Sequence, residues 1–148
     1  MIQRAADASV SVDGKVTGSI SRGLMVLVGV ENGDTPDDAK WLAAKTAALR
    51  IFDDADGVMN LAVTDVPDAG ILAISQFTLT ASTRKGNRPS YIRAAGHDLA
   101  VPLYELYCAE AERLLGRPTQ RGVFGADMQV KFTNSGPVTI IIDSRLRE

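Results

Sequence analysis

The amino-acid sequence predicts an α+β fold, a mainly antiparallel β-sheet with two main helices. Three observations carry that expectation. Six short segments, 8–12, 15–20, 24–30, 71–79, 128–133 and 138–143, are rich in β-branched residues or alternate apolar with polar ones. Segments 35–50 and 98–115 instead repeat apolar residues at helical spacing and carry start and stop signals. Nothing in the 148 residues reads as a linker, a repeat or a second composition, so one domain spanning 1–148 is expected.

In the first strand Ala8, Val10 and Val12 fall on one face, and Ser9 and Ser11 on the other. Asp13-Gly14 is a hairpin signal, because both positions of a tight two-residue turn need positive φ. Ser21-Arg22-Gly23 reads as a further turn, leading into Leu24, Met25, Val26, Leu27 and Val28. That run is apolar on both faces, as a strand covered on both sides must be.

Thr35 suits a helix cap, Pro36 the first helical position, and Asp37 and Asp38 the positive end of the helix dipole. Trp41, Leu42, Lys45, Ala48 and Leu49 follow at helical spacing. The acidic turn at 53–57 invites a calcium-loop reading. Counting back from Gly57, however, puts Phe52 at the first ligand position and Val63 at the twelfth, so it is read as a plain turn.

Residues 71–79 form a second buried strand, and 80–96 a long polar connection. In the second helix Leu103, Leu106, Tyr107, Leu114 and Leu115 supply the apolar side. Pro102 belongs in its first turn, and Gly116 and Pro118 end it. Asn134-Ser135-Gly136-Pro137 is read as a turn between the last two strands.

Composition excludes much familiar chemistry. With 45% hydrophobic and 23% charged residues the chain is an ordinary folding sequence. The single cysteine, Cys108, forbids an intrachain disulfide and any multi-cysteine metal site. The single histidine, His97, rules out a histidine-rich metal site and is expected in solvent beside a helix start. No P-loop, dinucleotide fingerprint or H-E-x-x-H occurs, and Gly122-Val123-Phe124-Gly125 is too sparse to cradle phosphate. No metal or cofactor is expected. No apolar run approaches the roughly 18 residues that cross a bilayer, and no export signal is evident, so the cytoplasm is the expected compartment.

Charge is unevenly placed. The net charge is −2, yet residues 31–68 hold nine acids, and 69–97 hold none while carrying Arg84, Lys85, Arg88 and Arg93. A local basic patch on a mildly acidic protein suits a polyanion that is held and then released. On charge alone a solvated basic loop fits equally well.

Ser75-Gln76-Phe77-Thr78-Leu79 stands where the apolar strand gives way to that basic segment. Polar side chains there either finish the strand ladder or belong to a site. Gln76 can orient a carbonyl or amine, and free backbone N–H groups can bind an oxyanion. Thr78 is a conceivable nucleophile with no evident base to activate it. Cys108 reads as a small core residue.

These segments, with Thr83-Arg84-Lys85-Gly86-Asn87-Arg88-Pro89-Ser90, the run Gly122 to Val130, Asn134-Ser135-Gly136-Pro137-Val138-Thr139 and Gln3-Arg4, closely resemble the D-aminoacyl-tRNA deacylase family. The resemblance covers all but the charged tail at 145–148. It implies a cytosolic homodimer with a barrel-like core that hydrolyses the ester joining a D-amino acid, or mischarged glycine, to tRNA.

In the family a Gly–cisPro pair, here Gly136-Pro137, enters the partner's site and excludes L-amino acids. The S-Q-F-T-L segment receives the aminoacyl adenosine, with Gln76, Phe77 and Thr78 as the catalytic positions, Ser75 as a binding one, and the tRNA 2′-hydroxyl assisting. Arg4 matches an arginine bracing the Gly–Pro segment; Phe124 and Met128 match pocket positions. Ser135 and Asn87 depart from the family's usual Asp and Arg or Met. The competing expectations are a non-catalytic nucleic-acid-binding module and a Thr-nucleophile hydrolase of small D-amino esters.

Overall fold

The structure, a computed structural model, describes residues 1–147. Strand β1 (Ile2–Val12) and strand β2 (Lys15–Val28) form an antiparallel hairpin around Asp13 and Gly14, both with positive φ. The Asp-Gly signal is therefore obeyed. The turn expected at 21–23 is not there, because β2 runs straight through it. Gly23 (φ +143) lies against Gly70, whose carbonyl oxygen would be 1.9 Å from a Cβ at position 23. This glycine serves a close approach of two strands, not a reversal of the chain.

Strand β2 leads through helix α1 (Pro36–Ala48) and the small hairpin β3 (Phe52–Asp53) and β4 (Met59–Leu61) to β5 (Gly70–Ser75). Helix α2 (His97–Leu115) then joins β5 to β6 (Gln120–Arg121), and β7 (Gln129–Ile140) closes the order β6-β5-β2-β1-β7. The long pairings, β1 with β2 and with β7, are antiparallel; β2 with β5 and β5 with β6 are parallel. Each parallel pair is bridged by a helix, as parallel neighbours require. The α+β class stands, and the sheet is mixed. Its barrel character is partial: the start of β2 curls toward β6, where the Thr17 hydroxyl donates to the Arg121 carbonyl at 3.2 Å, while β6 and β7 stay at opposite ends of the order.

Both faces of the central strands are covered. Leu24, Val26, Ile71 and Ala73 pack under the helices against Tyr104, Tyr107, Cys108 and Ala111. Met25, Leu72 and Ile74 point the other way, onto Ala5, Ala8 and Val10. Each fully buried aliphatic side chain contributes roughly 1.5–3 kcal/mol.

In α1 the Asp38 carboxylate accepts from the Thr35 N–H at 2.8 Å and from its hydroxyl at 2.7 Å, so the start is set by neighbouring residues. The hydroxyl bond, first among the causes, holds the Asp38 carboxyl below its ordinary range. The buried face is Ala39, Ala43 and Ala47, whose small size permits close packing; Trp41 sits aside, under the Arg147 guanidinium at 4.7 Å. Helix α2 starts at His97, which places Pro102 in its second turn rather than its first. The carbonyl that Pro102 cannot serve belongs to Asp98, an exposed residue. Gly116, in the left-handed conformation, ends α2 as its sequence predicts.

Two further expectations change. Strand β5 stops at Ser75, and Phe77–Thr80 coils into a 3₁₀ turn. The Thr80 hydroxyl donates to the Phe77 carbonyl at 2.8 Å, a local bond that competes with the ladder and overrides the β-propensity of Phe77 and Thr78.

The turn expected at 134–137 is instead a bulge within β7. Ala5 pairs with Asn134 and Gln3 with Thr139, so 135–138 stand out of the ladder. The Asn134 carboxamide holds the bulge, accepting from the Val138 N–H at 2.8 Å and donating to Gln3 Oε1 and Thr139 Oγ1, both at 3.0 Å. Within the bulge the Gly136–Pro137 peptide is cis. The acidic turn at 53–57 is a plain turn, with Asp54 Oδ1 accepting from the Asp56 and Val58 N–H groups. Among the described residues no helix is long and apolar enough to cross a membrane.

Candidate active site

The end of β5 opens onto a cavity of about 520 Å³. Ser75, Gln76 and Phe77 line one side; Phe124 and Met128, on the loop after β6, line the other. The last ladder bond of this edge runs from the Gln76 N–H to the Val28 carbonyl at 2.8 Å, after which the 3₁₀ turn begins. The amides of Phe77 and Thr78 lead that turn, and among the described residues neither donates to another group. Leading amides of a helical turn have no acceptor within it. They are therefore free to receive a negative oxygen.

Gln76 and Thr78 are coupled to one another. The Gln76 Nε2 donates to Thr78 Oγ1 at 2.7 Å, and Thr78 is exposed. An amide donor cannot take a proton from a hydroxyl, so this contact orients Thr78 without activating it. Cys108 offers no alternative: it is wholly buried, and burial pushes its thiol up to about 11. No cluster of three or more His, Cys, Asp or Glu able to hold a metal occurs among the described residues.

The far wall is built by packing. Phe124 meets the His97 ring edge-on at 5.4 Å and the Tyr104 ring at 5.8 Å. Tyr104 is buried, which raises its hydroxyl pKa, and it donates to the Ala73 carbonyl at 3.0 Å. A Cβ on Gly122 would lie 2.4 Å from the Met128 sulfur, so the glycine makes room for Met128.

His97 and Tyr104 are the residues that sequence reasoning missed. His97 is exposed, as expected, but it also lines the cavity. The signal was present: His97, Ala100 and Tyr104 stand at i, i+3 and i+7 of α2 and all three face the cavity.

The basic segment adjoins this site. Ser82 and Ser90 exchange two backbone hydrogen bonds of 2.9 Å, closing an exposed loop that carries Arg84, Lys85 and Arg88. Just beyond it, the Tyr91 ring meets Phe77 edge-on at 5.1 Å.

Arg4, Gly136 and Pro137 form a second, separate group and line none of this cavity. The Arg4 Nε donates to the Ser135 carbonyl at 2.7 Å, and its Nη1 to the Ile51 carbonyl at 2.8 Å and to Asp53 at 3.2 Å. These bonds join the bulge to the strand after α1. The structure thus assembles Ser75, Gln76, Phe77, Phe124 and Met128 around one opening, with Thr78 outside the lining and tied to it through Gln76, and places Arg4, Gly136 and Pro137 elsewhere.

Comparison with known proteins gives the family. A model of the D-Tyr-tRNA(Tyr) deacylase family matches residues 1–143. The D-aminoacyl-tRNA deacylase of Akkermansia muciniphila is 55% identical over 148 residues, covering 100% of this chain and 98% of that protein. That of Parabacteroides distasonis is 53% identical over 146 residues, covering 99% and 97%. A solved structure described as a c-Myc DNA unwinding element binding protein superposes with a TM-score of 0.87 at 37% identity, over 94% of this chain and 93% of that one. A probable eukaryotic D-amino acid tRNA deacylase, 17% identical with a TM-score of 0.77 over 91% and 92%, shares the fold. With the family model matched over nearly its whole length and relatives more than half identical, this chain belongs to the D-Tyr-tRNA(Tyr) deacylase family.

Proposed function

We propose that this protein hydrolyses D-aminoacyl-tRNA to the free D-amino acid and tRNA. The bond broken joins the amino-acid carbonyl carbon to the ribose oxygen of the terminal adenosine; water supplies the new hydroxyl and the ribose oxygen takes the proton. The observation that carries this reading is the pair of unpartnered amides, that of Phe77, which lines the cavity, and that of Thr78 next to it in the chain, with no activated side-chain nucleophile beside them among the described residues.

An ester is already reactive, so orientation and oxyanion stabilisation account for a large part of the rate. Ser75, Phe124 and Met128 would hold the aminoacyl adenosine, Gln76 would fix the turn through Thr78, and the tRNA's 2′-hydroxyl would assist the water. No protein base is then needed.

Selection is proposed to act across a homodimer. Gly136 and Pro137 line none of their own chain's cavity, and Arg4 ties their bulge to the body of the protein. A rigid carbonyl wall supplied by the partner would clash with an L side chain, while the D isomer points away and glycine has nothing to clash. The whole chain, 1–148, acts as one unit in this reading, in the cytoplasm where tRNA is charged.

Incubation with D-tyrosyl-tRNA and L-tyrosyl-tRNA should release only the D-amino acid. Equal hydrolysis of both would sink the proposal. A second reading, a non-catalytic nucleic-acid-binding module, is favoured by the acid-free basic segment and by the 37% identical structure described as a DNA-element binding protein. It requires DNA or RNA binding with steep salt dependence and no ester turnover. The Thr-nucleophile alternative requires turnover of a simple D-amino ester without tRNA, which the same bench comparison reads.

A further inference from the structure

We infer that Arg93 is a positioning residue for the turn Phe77–Thr80, not one of the cations that hold tRNA phosphates; this rests on the catalytic reading of that turn. The four cations of the basic segment look alike in sequence, but their side chains are differently engaged. Among the described residues, Arg84, Lys85 and Arg88 make no ion pair and no side-chain hydrogen bond. The Arg93 guanidinium is engaged on two sides. The Nε and Nη2 donate to the Thr80 carbonyl at 3.2 and 3.0 Å, and Nη1 lies 3.5 Å from the Glu31 carboxylate.

The anchor behind this contact is rigid. The Arg93 carbonyl accepts from the Asn32 N–H at 2.9 Å, and the Ala95 N–H donates to the Val30 carbonyl at 3.0 Å, so the Arg93 backbone is stitched to the chain leaving β2. The target is rigid too, since Thr80 is buried and its hydroxyl holds the Phe77 carbonyl. The terminal carbonyl of a 3₁₀ turn lacks an internal partner and takes a cation well. Pinning Thr80 therefore sets the tilt of the turn whose leading amides are those of Phe77 and Thr78. Two of its five N–H donors are committed to the Thr80 carbonyl and its charge faces the Glu31 carboxylate, so Arg93, though 54% exposed, is a weaker phosphate ligand than the unengaged Arg84, Lys85 and Arg88.

The test compares wild type, Arg93→Met, Arg93→Lys and Arg88→Met. It reads single-turnover deacylation of D-tyrosyl-tRNA, the salt dependence of tRNA binding, and the amide resonances of Phe77 and Thr78. Arg93→Met should slow deacylation by about 10–100-fold, the scale of a small misplacement at a reacting centre. It should shift both amide resonances and leave the salt slope of binding unchanged. Arg93→Lys, a single point charge without the fork, should recover only part of the rate. Arg88→Met should lower the salt slope by about 0.7–0.9, as loss of one phosphate contact does.

A slope loss of that size in Arg93→Met, with the rate and both resonances unmoved, would overturn the inference. If the wild type released no D-amino acid, the proposed activity would fall while the resonances still decided the link to Arg93. Should Arg93→Met fail to fold, Glu31→Gln removes the carboxylate that Arg93 shares with Arg145 and must move the same resonances, while Arg145→Met must not; resonances unmoved by Glu31→Gln would refute it.

Discussion

The Arg4 guanidinium donates through Nε to the carbonyl of Ser135 at 2.7 Å, joining residues 131 positions apart in sequence. It thereby holds the residue immediately before Gly136-Pro137. The same side chain reaches Asp53, but that carboxylate is 53% exposed, and an exposed pair contributes about 0–1 kcal/mol. The carbonyl bonds to Ser135 and Ile51, from a charged donor, contribute about 1.5–3 kcal/mol each and dominate.

Replacing Arg4 by Lys keeps the charge and loses the fork. The ratio of D- to L-tyrosyl-tRNA hydrolysis should fall at least about tenfold, since the bulge carrying the proposed selecting pair loses its fixed position. Parallel deacylation assays measure that ratio. An unchanged ratio in a folded Arg4→Lys protein would detach the brace from selection.

Gly136→Ala should be destabilising. A Cβ there would lie 2.8 Å from Val138 Cγ2 and 3.2 Å from the Arg4 guanidinium, at a φ of +144 that side-chain-bearing residues rarely adopt. The expected cost is about 1–3 kcal/mol, read as a lower urea midpoint with unchanged slope. A midpoint equal to wild type would show that the bulge relaxes freely around the new methyl group.

Thr78→Ala should keep deacylation within about tenfold of wild type. Among the described residues the one polar side chain bonded to its hydroxyl is the Gln76 amide, a donor that cannot serve as a base. Single-turnover rates decide this. Complete loss of activity with an intact fold would revive covalent catalysis by threonine.

Cys108 should make the protein less stable as pH rises from about 9 to about 11. Burial raises the thiol from its ordinary value of 9.0 to about 11 in the folded chain. Within that window the unfolded chain has lost the proton and the folded chain still holds it, so stability falls with increasing pH. The contribution is complete below the unfolded value and gone above the folded one. Denaturation midpoints of wild type and Cys108→Ala across this range give the test, with a flatter alkaline limb expected for the variant. Buried Tyr104 and Tyr107, also shifted upward, act in the same direction at higher pH.

Elements governed by near neighbours were legible in the sequence. Asp13-Gly14 turns the chain because its own backbone accepts positive φ. Thr35, Pro36 and Asp38 start α1 through contacts within three residues, and Gly116 ends α2 by adopting a left-handed conformation. The motifs around Gln76, Phe124 and Gly136 likewise stand in the sequence, as does Arg4.

Contacts between distant segments were decided only in three dimensions. Gly23 looks like a turn residue until Gly70 is laid against it. Residues 134–137 look like a turn until Gln3 and Thr139 grip Asn134 and keep the strand going. Arg93 is indistinguishable from Arg88 until its guanidinium meets the carbonyl of Thr80. Local conformation is set by φ preferences and bonds a few residues long, which the sequence displays directly. Close backbone approach, and the partner a long side chain selects, depend on which strands the fold makes neighbours, and folding alone supplies that information.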